Sequence, residues 1–295
     1  MHYIALNGWI YCGFGGEKKP REFIDWAASR GLDGVELTVG DCLPIETSET
    51  EAKELAAYAK GKGVGLRTLS AGLGWGKWLT SDDPAERAET VEFAKRYVRL
   101  ASWLGAETVL MVPGATRVAW DASHAEVSYL NAWHNVLASL REIAPVAESR
   151  GVNFAIENVW NRFLVSPMEW KMFLGQIGSE RVGLYFDVGN CCLNTNPVDW
   201  PEILGGRIKA VHLKNFEESD SAGGLHGFGD DLFKGVVDFG KVFAAFDKIG
   251  YAGPFTVEMI PFSRLPDLAM PDAALAEKMV GQIGKLKRQA LEERL

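Results

Sequence analysis

The chain has 295 residues, 47% hydrophobic and 24% charged, enough for one large barrel domain or two ordinary ones with a substantial core. Its net charge of −8 and pI near 5.3 argue against a nucleic-acid or polyanion-binding surface; a small anionic substrate would still need only a local cationic pocket. No apolar run reaches membrane-spanning length, and the N-terminal Met1-His2-Tyr3-Ile4-Ala5 lacks the features of a signal peptide, so a cytoplasmic protein is expected.

Residues 4–8 (IALNG) form a candidate first strand, followed by a Gly- and aromatic-rich loop from Trp9 to Gly16. Pro20 opens a helix through Phe23, Ile24 and Trp26 that stops at Gly31. Residues 34–38 make a second strand, ending near Glu36. Ser48 with Glu51 is a capping-box pattern for a helix over 48–61, and residues 65–69 (GLRTL) read as strand three. The loop Ser70 to Ser81 carries Trp75 and Trp78. Asp83-Pro84 starts a long helix to Leu104, with Val91, Ala94, Val98 and Ala101 at helical spacing. Residues 107–112 are strand four. After a loop holding Arg117, a helix runs from about Ala125 to Arg150.

Gly151 stops that helix, and Val152, Phe154 and Ile156 alternate with Asn153 and Ala155 in strand five, which ends in Glu157. Ser166-Pro167-Met168-Glu169 caps a helix over 167–177. Residues 182–187 are strand six, ending in Asp187. A short helix from Pro197 to Leu204 leads to strand seven, 208–213, with His212 near its end. A Gly-rich loop spans 221–235 and contains His226, Asp230 and Asp231. A helix over 239–249 precedes strand eight, 254–259, which carries Glu258. Pro271 opens the last helix, which runs beyond Arg288.

Eight strand–helix units with no composition break predict a single-domain (β/α)8 TIM barrel over 1–295, its strands apolar on both faces. A doubly wound nucleotide-binding sheet fits less well. Gly13-Phe14-Gly15-Gly16 is not G-x-G-x-x-G, and residues 72–78 have Ala71 and Trp78 where a P-loop needs Gly and Ser or Thr. The cysteines Cys12, Cys42, Cys191 and Cys192 have no disulfide or zinc spacing and read as reduced thiols.

In a barrel the C-terminal strand ends converge on one face. Glu157, Asp187, His212 and Glu258 lie at four consecutive ends, so they line one arc of the mouth. An unpaired acid after an apolar strand is expensive and needs a metal, a cation or a proton. Three carboxylates and an imidazole match a divalent cation: Mn2+ first, with Mg2+, Co2+ or Zn2+ as alternatives. Such an ion can hold a hydroxyl and a neighbouring carbonyl together and stabilise an enediolate. Glu157 and Glu258 are the expected acid/base pair. Proton return to the opposite face gives epimerisation, return to the next carbon gives isomerisation, and loss of a β-hydroxyl gives dehydration.

The motifs Ala155-Ile156-Glu157-Asn158, Phe186-Asp187-Val188-Gly189-Asn190, Val211-His212-Leu213-Lys214 and Val257-Glu258-Met259 resemble those of the xylose-isomerase-like barrel superfamily. Within it they look most like the sugar phosphate isomerase/epimerase group, which includes L-ribulose- and L-xylulose-5-phosphate 3-epimerases. The resemblance implies that the four strand-end residues bind the metal, that Glu157 and Glu258 double as acid/base groups, and that Glu36 contacts substrate. Epimerases of free ketoses carry His, Glu and Arg where this chain has Asn190, Phe163 and Glu218.

Around the four, Lys214 shares the side of His212 and is a candidate for a substrate anion or carbonyl, or a partner for one of the acids. Asn190, Trp160 and Arg162 are further substrate-binding candidates, with Arg117 a weaker one. Trp9, Trp75, Trp78 and Trp160 fall in loops on the site face and could form an apolar wall against a sugar. His226 is a candidate lid residue; His124 and His134 are expected to be structural. The expected function is a metal-dependent isomerase or epimerase of a small sugar or sugar phosphate, with a possible homo-oligomeric state. The rivals are a lyase dehydrating a polyol, a barrel that binds sugar or a partner without turnover, and a metal endonuclease, which would need more His and a basic face.

Overall fold

The computed structural model describes residues 2–16, 18–118, 124–218, 225–261 and 271–292. Eight parallel strands close into a barrel: β1 (Ile4–Asn7), β2 (Gly34–Val39), β3 (Thr68–Ala71), β4 (Thr108–Met111), β5 (Asn153–Glu157), β6 (Val182–Asp187), β7 (Ile208–Leu213) and, after a small hairpin of β8 (Glu217–Glu218) and β9 (Leu225–Gly227), β10 (Phe255–Val257). β1 pairs with both β2 and β10, which closes the circle. The helices are α1 (Gly8–Cys12), α2 (Pro20–Ser29), α3 (Glu49–Gly61), α4 (Pro84–Leu104), α5 (Tyr129–Arg150), α6 (Pro167–Leu174), α7 (Trp200–Leu204), α8 (Phe239–Lys248) and α9 (Ala273–Glu292). The expected single-domain barrel is the fold observed.

The helix starts follow their caps. Ser48, Asp83, Ser128 and Ser166 each accept a hydrogen bond from a backbone N–H of the first turn, at α3, α4, α5 and α6. α5 ends where Gly151 adopts a φ of 68°, a left-handed conformation that glycine enters without the Cβ penalty.

Several boundaries differ from expectation. Residues 8–12 form a helical turn, because the Asn7 side chain accepts from the Trp9 N–H and caps it. Strand three is 68–71 rather than 65–69; Gly65 makes an isolated bridge to Gly34 before the strand proper begins. Glu36 lies inside β2, which continues to Val39. Of the Gly-rich loop, 221–224 and the His226 side chain lie outside what is described.

The strands are not apolar on both faces. Alternate residues such as Phe154, Ile156, Leu184, Phe186 and Val211 pack outward into the large core beneath the helices. The inward set is Asn7, Glu36, Thr68, Ser70, Thr108 and Thr256, all buried and polar, with a small separate cluster of Leu110, Ala155, Tyr185 and Ala210. Cross-barrel hydrogen bonds satisfy part of this interior: Asn7 Nδ2 donates to Ser70 Oγ at 3.2 Å, and the Thr68 and Thr256 hydroxyls meet at 3.4 Å. This parity brings the functional side chains together. Asn153, Ala155 and Glu157 share one face of β5, and Ala210 and His212 one face of β7.

Candidate metal centre

Glu157 and Asp187 are the last residues of β5 and β6, His212 is the penultimate residue of β7, and Glu258 directly follows β10. Register fixes their neighbours: Asp187 sits beside His212, and His212 beside Thr256. One ligand atom from each of the four lies within 4.8 Å of all the others, and all four residues are buried. The sequence-derived tetrad is therefore assembled in space.

Two atoms in the cluster stand out. His212 Nδ1 and Asp187 Oδ2 are buried without a hydrogen-bond partner. His212 Nε2 is 2.8 Å from Glu36 Oε1, and since a carboxylate only accepts, the ring proton belongs on Nε2. Nδ1 faces Glu157 Oε1 and Glu258 Oε2, each at 3.6 Å, and a proton on it is one that a bound cation would displace. The other oxygen of Asp187, Oδ1, accepts from the backbone N–H groups of Gly189 and Asn190 at 2.8 and 2.7 Å. One oxygen is thus spent on holding the side chain, while the other makes no hydrogen bond and faces the Lys214 ammonium at 3.3 Å. An imidazole nitrogen and a carboxylate oxygen buried without a hydrogen bond, converging with two further carboxylates, fit a divalent cation.

The surrounding groups act on these four. Burial alone would raise the Glu36 carboxyl; the adjacent His212 charge and hydrogen bonds from His212, Thr68 and Tyr185 outweigh it and keep it below the ordinary value. Burial would lower His212, but Glu36 and Glu258 hold it well above its ordinary value. Glu157 is pushed up to about 7, first by burial, with the nearby His212 opposing and the Glu258 charge adding. Lys214 Nζ pairs with Glu258 Oε2 at 2.7 Å and Asp187 Oδ2 at 3.3 Å, and these charges hold it above its ordinary value against burial. A Cβ on Gly189 would come 2.9 Å from Lys214 Cγ, so the glycine lets Lys214 lie flat over the site.

Above the carboxylates opens a cavity of about 440 Å3. Of the candidates named from the sequence, Glu157, Glu258, Lys214, Asn190 and Trp160 line it. Asn190 Nδ2 reaches Glu157 Oε1 at 3.3 Å, and Trp160 Nε1 donates to Asn190 Oδ1 at 2.8 Å. Trp9 and Trp75 also face it. Other candidates fall elsewhere. Glu36, expected to contact substrate, is wholly buried beneath His212 and does not line the cavity; its carboxylate meets His212 Nε2 at 2.8 Å. Arg162 is exposed, with a φ of 60°, and is absent from the lining, as is exposed Arg117. Trp78 is buried in loop packing, stacked at 4.0 Å on His124. His134 is exposed on α5. All four cysteines are free thiols.

Sequence reasoning gave no separate role to Asn158, Asn7 and Tyr185. Asn158 Oδ1 accepts from the Asp187 N–H at 2.8 Å while its Nδ2 donates to the Asp187 carbonyl at 2.9 Å. Asn7 Nδ2 donates to Glu36 Oε1 at 2.7 Å, and the Tyr185 hydroxyl donates to Glu36 Oε2. Inward parity along β1 and β6 is the signal that would have placed Asn7 and Tyr185.

Comparisons with known proteins agree with this geometry. D-psicose 3-epimerase of Ruminiclostridium cellulolyticum is 27% identical over 259 residues, 84% of this chain and 80% of that protein. A putative L-ribulose-5-phosphate 3-epimerase, SgbU, of Escherichia coli is 28% identical over 79% of this chain and 81% of its own length. The crystal structure of D-psicose 3-epimerase with D-tagatose from Clostridium cellulolyticum superposes with a TM-score of 0.76, covering 98% of this chain and 99% of the other at 17% identity, a likeness of fold. Among the described residues, no helix is long and apolar enough to cross a membrane. The family model for xylose isomerase-like TIM barrels matches residues 24–279, and the chain belongs to that family.

Proposed function

We propose that the protein is a metal-dependent isomerase or epimerase that moves a proton on the carbon beside a carbonyl of a small carbohydrate. The observation that carries this reading is the convergence of Glu157 and Glu258, which line the cavity, with His212 Nδ1 and Asp187 Oδ2, buried without a hydrogen bond. The sugar-epimerase relatives point the same way. A divalent cation held by the four residues, Mn2+ in the first instance, supplies a Lewis acid beside the substrate carbonyl. Glu157 and Glu258 supply the proton chemistry: one carboxylate takes the proton from carbon and the other returns one. Their settings differ, since Glu258 is ion-paired to Lys214 while Glu157 faces the amide of Asn190. Lys214 and Asn190 hold these carboxylates in place and present polar hydrogens to the cavity. The aromatic wall excludes water from the exchanging proton.

Incubation with Mn2+ in D2O against free and phosphorylated ketoses, inososes and keto-acids tests the reading. Deuterium should enter one carbon of the true substrate without loss of water. Glu157→Gln and Glu258→Gln should each lower exchange by at least about a hundred-fold. Retention of exchange by both metal-loaded variants would refute the proton-transfer roles, and an unsaturated product would establish the dehydratase instead.

A further inference from the structure

The cavity has two unlike parts. Its floor is polar, made of Glu157, Glu258, Asn190 and Lys214. Its wall is aromatic. Trp9 and Phe14 stack with centroids 5.9 Å apart, and Trp75 and Trp160 lie tilted at 6.2 Å. These rings come from segments following three different strands, β1, β3 and β5. They are not simply the edge of one core. Phe14 leaves 40% of its surface exposed at the cavity rim, where an apolar ring gains nothing from water.

The size is also informative. A hexose has a dozen heavy atoms, which at roughly 20 Å3 each in close packing fill about half of this space.

The charges point away from a phosphate. Among the described residues lining the cavity, Lys214 is the one cation, and its ammonium is already held by Glu258 and Asp187. The other ionisable groups in the lining are the acids Asp41, Glu157 and Glu258, and Asp41 Oδ2 accepts from Trp9 Nε1 at 2.7 Å. No arginine fork faces the cavity from these residues, and a phosphate dianion there would meet carboxylates.

We propose that the substrate is an uncharged sugar bearing an apolar ring-shaped substituent, with the substituent lying on Trp9, Phe14, Trp75 and Trp160 while the sugar meets the carboxylates. This rests on the reading of the floor as a carbohydrate proton-transfer site. The flat rings offer stacking area to an apolar ring at little entropic cost. Trp9, pinned by Asp41, and Trp160, pinned by Asn190, are held in orientation before any ligand arrives.

Binding to the Mn2+-loaded full chain, followed by titration calorimetry, separates the choices without needing turnover. The probes are phenyl β-glucoside, methyl β-glucoside and fructose 6-phosphate. Phenyl glucoside should bind roughly ten-fold more tightly than methyl glucoside, and the phosphate no better than methyl glucoside. Phe14→Ala and Trp75→Ala should each shrink the phenyl preference, read as the ratio of the two glucoside affinities, to within about three-fold. Phe14 is at the surface, so its variant reports even where a tryptophan variant folds poorly. Equal binding of the two glucosides, tightest binding of the phosphate, or no binding of phenyl glucoside overturns the proposal. Deuterium exchange into a plain ketose without any phenyl preference would remove this inference and keep the proton-transfer reading. A phenyl preference with no exchange on any substrate would do the reverse.

Discussion

Glu36→Gln tests how the buried interior sets the metal centre. Glu36 is wholly buried and accepts hydrogen bonds from Asn7 and His212 on Oε1 and from Tyr185 on Oε2. The amide keeps one acceptor, which can still face Asn7 and His212, but it loses the charge that keeps the imidazole basic. Loss of a partner that orients a metal-ligating histidine costs roughly ten- to a hundred-fold in metal affinity, or about 1.4–2.8 kcal/mol. The Tyr185 hydroxyl must turn to Thr256 or Thr68, both already near it, so the stability cost should stay at about 1.5–3 kcal/mol. Mn2+ affinity is read by titration calorimetry, and stability by thermal melts with and without metal. Tyr185→Phe is the control. It leaves Glu36 Oε2 without its donor but keeps the His212 contact, so it should lower stability while changing Mn2+ affinity by less than about three-fold. A folded Glu36→Gln protein that binds Mn2+ within about two-fold of the parent would refute the orienting role.

Metal binding should depend on pH. Glu157, pushed up to about 7, holds a proton that the cation must displace, so Mn2+ affinity should rise between about pH 6 and 8 with measurable proton release in calorimetry. For the metal-free protein the sign is opposite. The folded state holds this proton more tightly than the unfolded chain, so Glu157's contribution is full below the ordinary 4.5 and is lost as pH rises through about 7. Melts of metal-free protein should show that loss. Asn158→Ala removes both side-chain bonds to the Asp187 backbone and should cost about 2–4 kcal/mol in denaturant unfolding, with weaker Mn2+ binding. Trp78→Ala should cost about 3–5 kcal/mol through cavity formation but leave Mn2+ affinity within about two-fold, since Trp78 lies outside the site.

The tetrad was legible because a carboxylate directly after an apolar strand has few ways to be satisfied. Three such ends with His212 among them, on four successive barrel strands, also define an arc once the barrel is inferred. Glu36 was harder. Its sequence setting, Gly34-Val35-Glu36-Leu37, looks like another strand end, and only the observed run to Val39 shows that its carboxylate sits a layer below the mouth. The strand-three shift has a similar origin: Gly65 and Leu66 are strand-like, but Gly65 contributes only one bridge, and the ladder with β4 starts at Thr68. α1 escaped because five residues with a lone Asn cap carry almost no periodicity. The tryptophans were read as a group. Packing divides them, because Trp78 turns under the loop to stack on His124 while Trp75 faces the cavity.

The Asn158 amide does the work of one more rung in the sheet. Backbone pairing between β5 and β6 reaches Glu157 and Tyr185, and Asn158 then meets both the N–H and the carbonyl of Asp187 as a neighbouring strand would. The spacing of two ligands is thereby set by a side chain lying in the plane of the sheet. The loops beyond it need not hold that spacing. A barrel built this way can exchange the walls of its cavity, and with them the molecules it accepts, while the distance between Glu157 and Asp187 stays fixed.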